Sequence, residues 1–305
     1  MTNPQSDSIS GHVLWEWRQQ AIAQAMTHQI EAIEVDWLLQ RLCPIDGLSL
    51  RLGTLAQQAE VATAVTLPEL TKLWQQRIET RVPIQYLVGH TEWRQFKLQV
   101  SPAVLIPRPE TELMIDLTIA AVATSPVSER LQQGVWADLG TGSGAIALGL
   151  ATAFPKAKIL AVDISEAALA IAQGNAQQNG LSDRIQFIQG SWLTPLRPWQ
   201  GQLAGILSNP PYIPSAIVPT LQPEVACHEP HLALDGGQDG LHSVRHLIQS
   251  ASAYLQADGF WLVELMQDQP PVVATLLAAT QDYQNIQQHR DLAGITRFVS
   301  AHRAQ

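Results

Sequence analysis

The stretch Val135-Trp-Ala-Asp138-Leu-Gly140-Thr-Gly142-Ser-Gly144-Ala-Ile-Ala-Leu-Gly-Leu-Ala-Thr-Ala-Phe154 decides the fold. Its first five residues are apolar except Asp138, three glycines then alternate with Thr and Ser, and an apolar run ends at Phe154-Pro155. A buried strand that turns tightly into a buried helix has this pattern. Glycines at such a turn allow left-handed backbone and let the chain approach a ligand closely.

Working outward, the alternation continues to the C-terminus. Strands are predicted at 135–139, 158–163, 185–189, 203–208, 259–265, 285–290 and 295–300, with helices at 144–153, 166–179, 241–256 and 269–279. That order implies an α/β fold with a mostly parallel, doubly wound seven-stranded sheet. The last two strands flank Asp291-Leu-Ala-Gly294, too short for a crossover, so they pair antiparallel. Upstream, Pro107-Arg108-Pro109-Glu110 opens a helix predicted to run to about Ala123, with an early proline and acids in the first turn. Before it, Phe96, Leu98 and Val100 alternate with Lys97 and Gln99, a strand over 93–100. A turn at Ser101-Pro102 and a short strand Val104-Leu105-Ile106 are predicted to close a β-hairpin.

Residues 12–80 read as helices. Val13, Leu14, Trp17, Ala21, Ile22 and Ala25 share one helical face, a second helix is predicted at Asp36–Leu42, and Thr66-x-x-Glu69 is a capping box. Trp37 and Trp74 are expected in the core of this small all-α domain. The division is therefore 1–88 helical, 89–107 hairpin linker and 108–305 α/β.

With 305 residues, 46% apolar and 15% charged, the chain is long enough for two cores and too apolar for intrinsic disorder. The net charge is −9: residues 1–100 carry 8 basic and 10 acidic side chains, and 101–305 carry 10 and 17. Neither part has the basic surplus of a protein living on phosphate backbones. Cys43 and Cys227 are too few for a disulfide framework or a Cys-rich zinc site. Met1–Ser10 lacks the basic start and apolar stretch of a secretory signal, and no run of about 18 apolar residues occurs, which predicts a soluble cytoplasmic protein without a membrane span. His242-x-x-x-His246 has metalloprotease spacing, but Ser243 stands where the glutamate is needed, so no metal is expected.

Two ligand readings compete at the glycine loop. Gly140, Gly142 and Ala145 loosely satisfy a dinucleotide fingerprint. Asp138, two residues before the first glycine, and Gly144 fit an S-adenosylmethionine loop better. Asp163, ending the next strand, can accept both ribose hydroxyls in either case.

Ser208-Asn209-Pro210-Pro211-Tyr212, at the carboxyl end of a predicted strand, makes the choice. Consecutive prolines force extended backbone and leave carbonyls without local donors. The Asn209 side-chain carbonyl and the Pro210 backbone carbonyl can accept both hydrogens of one planar amine or amide, with the Tyr212 ring as a platform. An amide nitrogen is a poor nucleophile because its lone pair is delocalised. Holding both N–H bonds aims it at a methyl group and favours the pyramidal transition state. No strong base is needed, since the methylated product sheds its proton readily.

Arg81-Val-Pro-Ile-Gln-Tyr-Leu-Val-Gly89, Leu105-Ile-Pro-Arg-Pro-Glu-Thr-Glu112, Asp138–Gly144, Asn209–Tyr212, Glu229-Pro230 and Asp291–Gly294 occur in this order. Over nearly its whole length the chain resembles the HemK/PrmC family of protein-(glutamine-N5) methyltransferases. The resemblance implies a Rossmann-like class I methyltransferase domain and S-adenosyl-L-methionine as donor. It implies as substrate the glutamine of the Gly-Gly-Gln loop in class I peptide chain release factors, with a helical N-terminal domain that helps to hold this partner. Carried over by position, Gly140, Thr141, Gly142, Ser143 and Gly144 line the methionine end of the cofactor, Asp163 takes the ribose and Trp192 lies beside the adenine. Asn209, Pro210, Pro211 and Tyr212 hold the substrate amide, and Asn209 also touches the cofactor. Glu110 and Thr111 border the cofactor pocket and Glu229 its substrate side. Ser191 replaces the usual acid near the adenine, and Glu264-Leu-Met-Gln-Asp-Gln269 lacks the usual glycine.

The tetrad is shared with adenine-N6 methyltransferases, so exocyclic amines of DNA or RNA bases are the alternative substrates. They call for a flipped base and a basic groove, which the charge balance opposes, and stable nucleic-acid binding is not expected. A non-catalytic binding module and a nicotinamide dehydrogenase are the remaining alternatives. Arg108 either pairs with Glu110 or Glu112 or lines the pocket.

Overall fold

In the computed structural model, which describes residues 7–305, the chain divides into two compact units, Met1–Gly89 and His90–Gln305. The Met1–Ser6 part of the N-terminal segment read above lies outside the described residues.

The first unit is helical. Its helices are α1 (Gly11–Thr27), α2 (Ile33–Leu42), α3 (Gly47–Leu52), α4 (Leu67–Thr80) and α5 (Ile84–Val88). Leu14, Trp17, Ala21 and Ala25 of α1 pack with Val35, Leu38 and Leu39 of α2 and Leu70, Trp74 and Ile78 of α4. The Thr66–Glu69 capping box forms and starts α4. Trp37 is only half-buried, with the Arg41 guanidinium 4.7 Å above its ring, so it sits at the margin of this core. An antiparallel ladder of β1 (Asp7–Ile9) and β2 (Val61–Thr63) adds a small sheet that periodicity in such short runs did not reveal.

The second unit opens with the hairpin β3 (His90–Trp93) and β4 (Phe96–Gln99). The predicted hairpin is corrected here: the turn is Arg94-Gln95, and Val104–Ile106 is not a strand. Arg94 takes a left-handed φ of 50°, rare without Gly or Asn. Its backbone N–H donates to the Glu112 carboxylate at 2.9 Å and its guanidinium pairs with Asp116 at 2.9 Å, which hold the turn. The helix predicted from Pro107 is a 3-10 turn, Pro109–Glu112, followed by α6 (Leu113–Thr124). A short α7 (Ser128–Gln133) precedes the sheet.

Then come β5 (Val135–Leu139), α8 (Ala145–Ala153), β6 (Lys158–Asp163), α9 (Glu166–Gln178), β7 (Ile185–Gln189), β8 (Leu203–Ser208), α10 (Pro223–Ala226), α11 (His242–Ala251), β9 (Leu255–Glu264), α12 (Pro270–Thr280), β10 (Tyr283–Arg290) and β11 (Thr296–Arg303). The sheet order is β10-β11-β9-β8-β5-β6-β7, parallel except that β11 runs antiparallel to β9 and β10. The predicted helix to residue 256 stops at Ala251. The Gly201 and Leu203 N–H groups take the Ala253 and Tyr254 carbonyls, and that pairing draws the chain into β9.

Both sheet faces are covered, as a parallel sheet requires. Trp136, Ile159, Ala161 and Leu207 point to α6 and α8, whereas Ala137, Leu160, Val162 and Ile206 point to α11 and α12. Asn175 of α9 is fully buried beneath the glycine loop. It accepts from the Gln99 N–H (2.6 Å) and donates to the carbonyls of Gln99 (3.1 Å) and Ser143 (2.8 Å). Asn175→Ala strands three backbone groups, two on β4 and one in the loop, each costing about 1–3 kcal/mol when buried. The expected loss is about 3 kcal/mol of unfolding free energy in urea titration, and a change under about 1 kcal/mol would contradict this accounting.

Candidate active site

The three central strands end level. Leu139 of β5 pairs with Ser208 of β8, and Ser208 pairs with Val263 of β9. Gly140 and Asn209 therefore leave the sheet side by side, next to Glu264, the last residue of β9. The Ser208 hydroxyl fastens two of these ends by donating to the Leu139 carbonyl at 2.7 Å. Strand order reverses between β5 and β8, the switch point at which open α/β sheets bind ligands.

A cavity of about 380 Å³ opens there. On its β5–β6 side Gly140, Gly142 and Gly144 have φ of 74°, 53° and 85°. The Gly140 and Thr141 N–H groups both donate to the Val162 carbonyl at 2.9 Å, folding the loop back over β6. Asp163 is held by backbone: the Gly142 N–H donates to one carboxylate oxygen and the Ser165 N–H to the other, each at 2.9 Å. Each oxygen keeps acceptor capacity for a hydroxyl, a fit to a ribose diol. Trp192, itself at φ 50°, flanks Gly140, and Ser191 beside it lines the cavity without an acid's charge.

Asp138 is fully buried. One oxygen accepts from the Thr141 hydroxyl (2.6 Å) and the Ala147 N–H (3.0 Å), and the other, Oδ1, has no partner. Burial pushes its pKa up to about 7 against these two hydrogen bonds, with the Asp163 charge adding to the rise.

On the opposite side, the Asn209 amide donates through Nδ2 to the Thr111 hydroxyl at 3.3 Å, and its Oδ1 accepts nothing from the described residues. The Pro210 carbonyl likewise accepts no hydrogen bond from them. The following loop is clamped. Gln269 Nε2 donates to the Tyr212 carbonyl at 2.8 Å, the Ile213 N–H to Leu234 at 3.0 Å, and the Gly236 N–H to Ile213 at 2.8 Å. The 264–269 stretch needs no glycine because Asp268 takes φ 73° and the Met266 N–H donates to Gln269 Oε1 at 3.0 Å.

The cavity wall brings together Thr111, Gly140, Thr141, Gly142, Ser143, Asp163, Trp192, Asn209 and Pro211 of the sequence-expected residues. Others stand apart. Gly144 lies beneath the loop, where an added Cβ would meet Ala172 Cβ at 3.1 Å, so its smallness serves packing against α9. Pro210 and Tyr212 do not line the cavity, and the Tyr212 hydroxyl is pushed up first by burial and then by Glu264. Glu110 is exposed and off the wall. Glu229 is buried and bound by Arg108 Nη2 at 2.7 and 2.8 Å; burial raises its pKa while the guanidinium opposes the rise. Arg108 thus pairs with neither Glu110 nor Glu112. The expectation missed the wall segment Ala103–Leu105, the residues Leu232, Ala233 and Asp235, and His242; the Asp235-Gly-Gly-Gln-Asp-Gly240 turn cluster was their one visible sign.

Fold and site define a class I, S-adenosylmethionine-dependent methyltransferase. The methyltransferase small domain model matches residues 118–219. A release factor glutamine methyltransferase of Synechocystis is 51% identical over 96% of this chain and 97% of its own. Its namesake in Thermosynechococcus vestitus is 46% identical over 96% and 99%. The chain belongs to the release factor glutamine methyltransferase family. Among solved structures, the hMettl16 catalytic domain superposes with a TM-score of 0.55 at 14% identity, covering 87% of this chain and 88% of that one, a likeness of fold.

Asp138 and Glu264 share a sign. Burial lifts both to about 7, so between about pH 4 and 7 the folded state binds more protons than the unfolded one. Stability of the ligand-free protein is expected to fall as pH rises through that window, and Asp138→Asn removes about half of these two groups' slope. Urea titrations across the window check it; equal slopes in both proteins would contradict a raised Asp138.

Proposed function

We propose that this protein transfers a methyl group from S-adenosyl-L-methionine to the side-chain amide nitrogen (N5) of the glutamine in the Gly-Gly-Gln motif of class I peptide chain release factors. One observation carries the reading furthest. Asn209, on the cavity wall, spends an amide N–H on Thr111, which leaves its Oδ1 without a donor, and the carbonyl of the next residue, Pro210, has none either. Two acceptors suit a primary carboxamide, which has two N–H bonds to give.

The residues divide the work. Asp163 would take the ribose hydroxyls, Trp192 the adenine face, and the Gly140–Ser143 loop the methionine end. The donor supplies an electrophilic methyl carbon on a sulfonium. Asn209 and Pro210 turn the amide nitrogen towards it, and the ordered placement of two bound reactants can supply on the order of 7–11 kcal/mol of the barrier. No buried general base is required, because the proton leaves from an acidified product nitrogen.

The helical unit contributes to holding the release factor; Met26, Ile33, Leu48 and Leu52 are exposed apolar side chains there. Release factors work on ribosomes, so we place the protein in the cytoplasm; among the described residues no helix is long and apolar enough to cross a membrane. Base methylation is the weaker reading, given a charge of −9.

Asn209→Ala is expected to lower kcat on a release factor by roughly 100-fold or more while donor affinity changes by less than about 3-fold. Full turnover with labelled donor would contradict the assigned role. Asp163→Ala is expected to weaken donor binding by about 10-fold or more in calorimetry, through loss of charge-assisted hydrogen bonds. Unchanged affinity would move the ribose site elsewhere.

A further inference from the structure

One stretch of the cavity wall holds hydrogen-bond donors that lack acceptors. Of the helices that begin beside the cavity, α9 and α8 have their first turns satisfied from within the chain. The Ala168 N–H donates to Ser165 Oγ at 3.1 Å, and the Ala147 N–H donates to Asp138 at 3.0 Å. The ten-residue α11 has Leu241 at its N-cap instead, a side chain that carries no acceptor and is buried in the core. Asp239, the nearest acid in sequence, takes the Leu241 N–H at 3.1 Å and pairs with Arg245.

Two N–H groups of the first turn are therefore left over. His242 donates to the Gly236 carbonyl and Arg245 to the Leu241 carbonyl, both at 2.9 Å, whereas the Ser243 and Val244 N–H groups donate to nothing among the described residues. Ser243 is 7% exposed and lines the cavity, and its hydroxyl has no partner among those residues either. Buried polar groups are normally hydrogen-bonded, so an uncapped helix start with a spare buried hydroxyl on a cavity wall suits an acceptor that arrives from outside.

The neighbouring wall residue offers the opposite function. Asp235 lines the cavity one residue before Gly236, which receives the His242 N–H. Its Oδ1 accepts from the Ser215 hydroxyl at 2.6 Å and the Gly237 N–H at 2.8 Å, and its Oδ2 accepts nothing from the described residues. A peptide main chain brings a carbonyl and an N–H together and fits such a wall. The carboxylate of the methyl donor would instead meet a charge of its own sign in Asp235. The wall also runs from Asn209 and Pro211 through Pro230 and Asp235 to Ser243, all in the chain that follows β8. Gly140, Asp163 and Trp192, assigned above to the donor, belong to the ends of β5, β6 and β7.

Resting on the glutamine-methylation reading, we propose that Ser243 and the free N–H groups at the start of α11 form a substrate subsite, which binds a main-chain carbonyl of the Gly-Gly-Gln segment beside the target glutamine. Glycines next to the glutamine leave that carbonyl unshielded by side chains.

The test uses the whole protein with an intact release factor and labelled donor. Ser243→Ala removes only the hydroxyl and is expected to raise KM for the release factor by about 3- to 10-fold, with kcat and calorimetric donor affinity each within about 2-fold of wild type. Ser243→Asp places a carboxylate where the helix dipole accepts it and supplies the free N–H groups from within the chain, so KM is expected to rise by about 10-fold or more at unchanged donor affinity. An unchanged KM in Ser243→Ala overturns the subsite, whatever Ser243→Asp does. Weakened donor binding with KM for the release factor unchanged overturns it as well, by giving these N–H and O–H groups to the donor. A wild-type protein that methylates no release factor, or Asn209→Ala at full turnover, is by contrast the failure of the underlying reading.

Discussion

The site depends on the register of three parallel strands. A strand's side chains alternate faces, so a one-residue slip of β8 against β5 would send the whole apolar set of that strand to the wrong face. The two distinct cores prevent this. Trp136 and Leu207 are committed to the α6–α8 side, while Ala137 and Ile206 are committed to the α11–α12 side. With register set, Gly140 and Asn209 follow the last paired residues of β5 and β8, and Glu264 closes β9, paired with Phe298 of β11. The glycine loop, Asn209 and the Glu264 carboxyl are side by side because the cores are matched.

That edge holds charge where charge is costly. Asp138 and Glu264 are both buried with one oxygen unpartnered, and both are raised towards 7 mainly by desolvation. Arg108 and Arg297, each paired with an acid of its own, Glu229 and Asp291, act on Glu264. A site that must orient neutral polar groups gains from such acceptors. Asp138 dictates where a neighbouring proton points, that of the Thr141 hydroxyl.

What sequence could show and what it could not divides along a physical line. The glycine loop and the Asn-Pro-Pro-Tyr tetrad were readable because their backbone conformations are dictated locally, by φ freedom in one case and φ restriction in the other. The hairpin turn was not, because Arg94 adopts left-handed backbone only with Glu112 and Asp116 to hold it. That Glu229 is held by Arg108, 121 residues away in sequence, was equally hidden. Asn175 gave no signal either. It bridges β4 and the glycine loop, far apart in the chain, and no periodicity records that.

In the proposed reaction two acceptors after β8 hold a carboxamide by its two N–H bonds. A crystal structure with S-adenosylhomocysteine and a peptide carrying Gly-Gly-Gln addresses it directly. The expected result places the glutamine amide nitrogen at about 3 Å from both Asn209 Oδ1 and the Pro210 carbonyl oxygen, on the side that faces the sulfur. A glutamine bound elsewhere, or an Asn209 that turns Nδ2 to the peptide, would contradict the account.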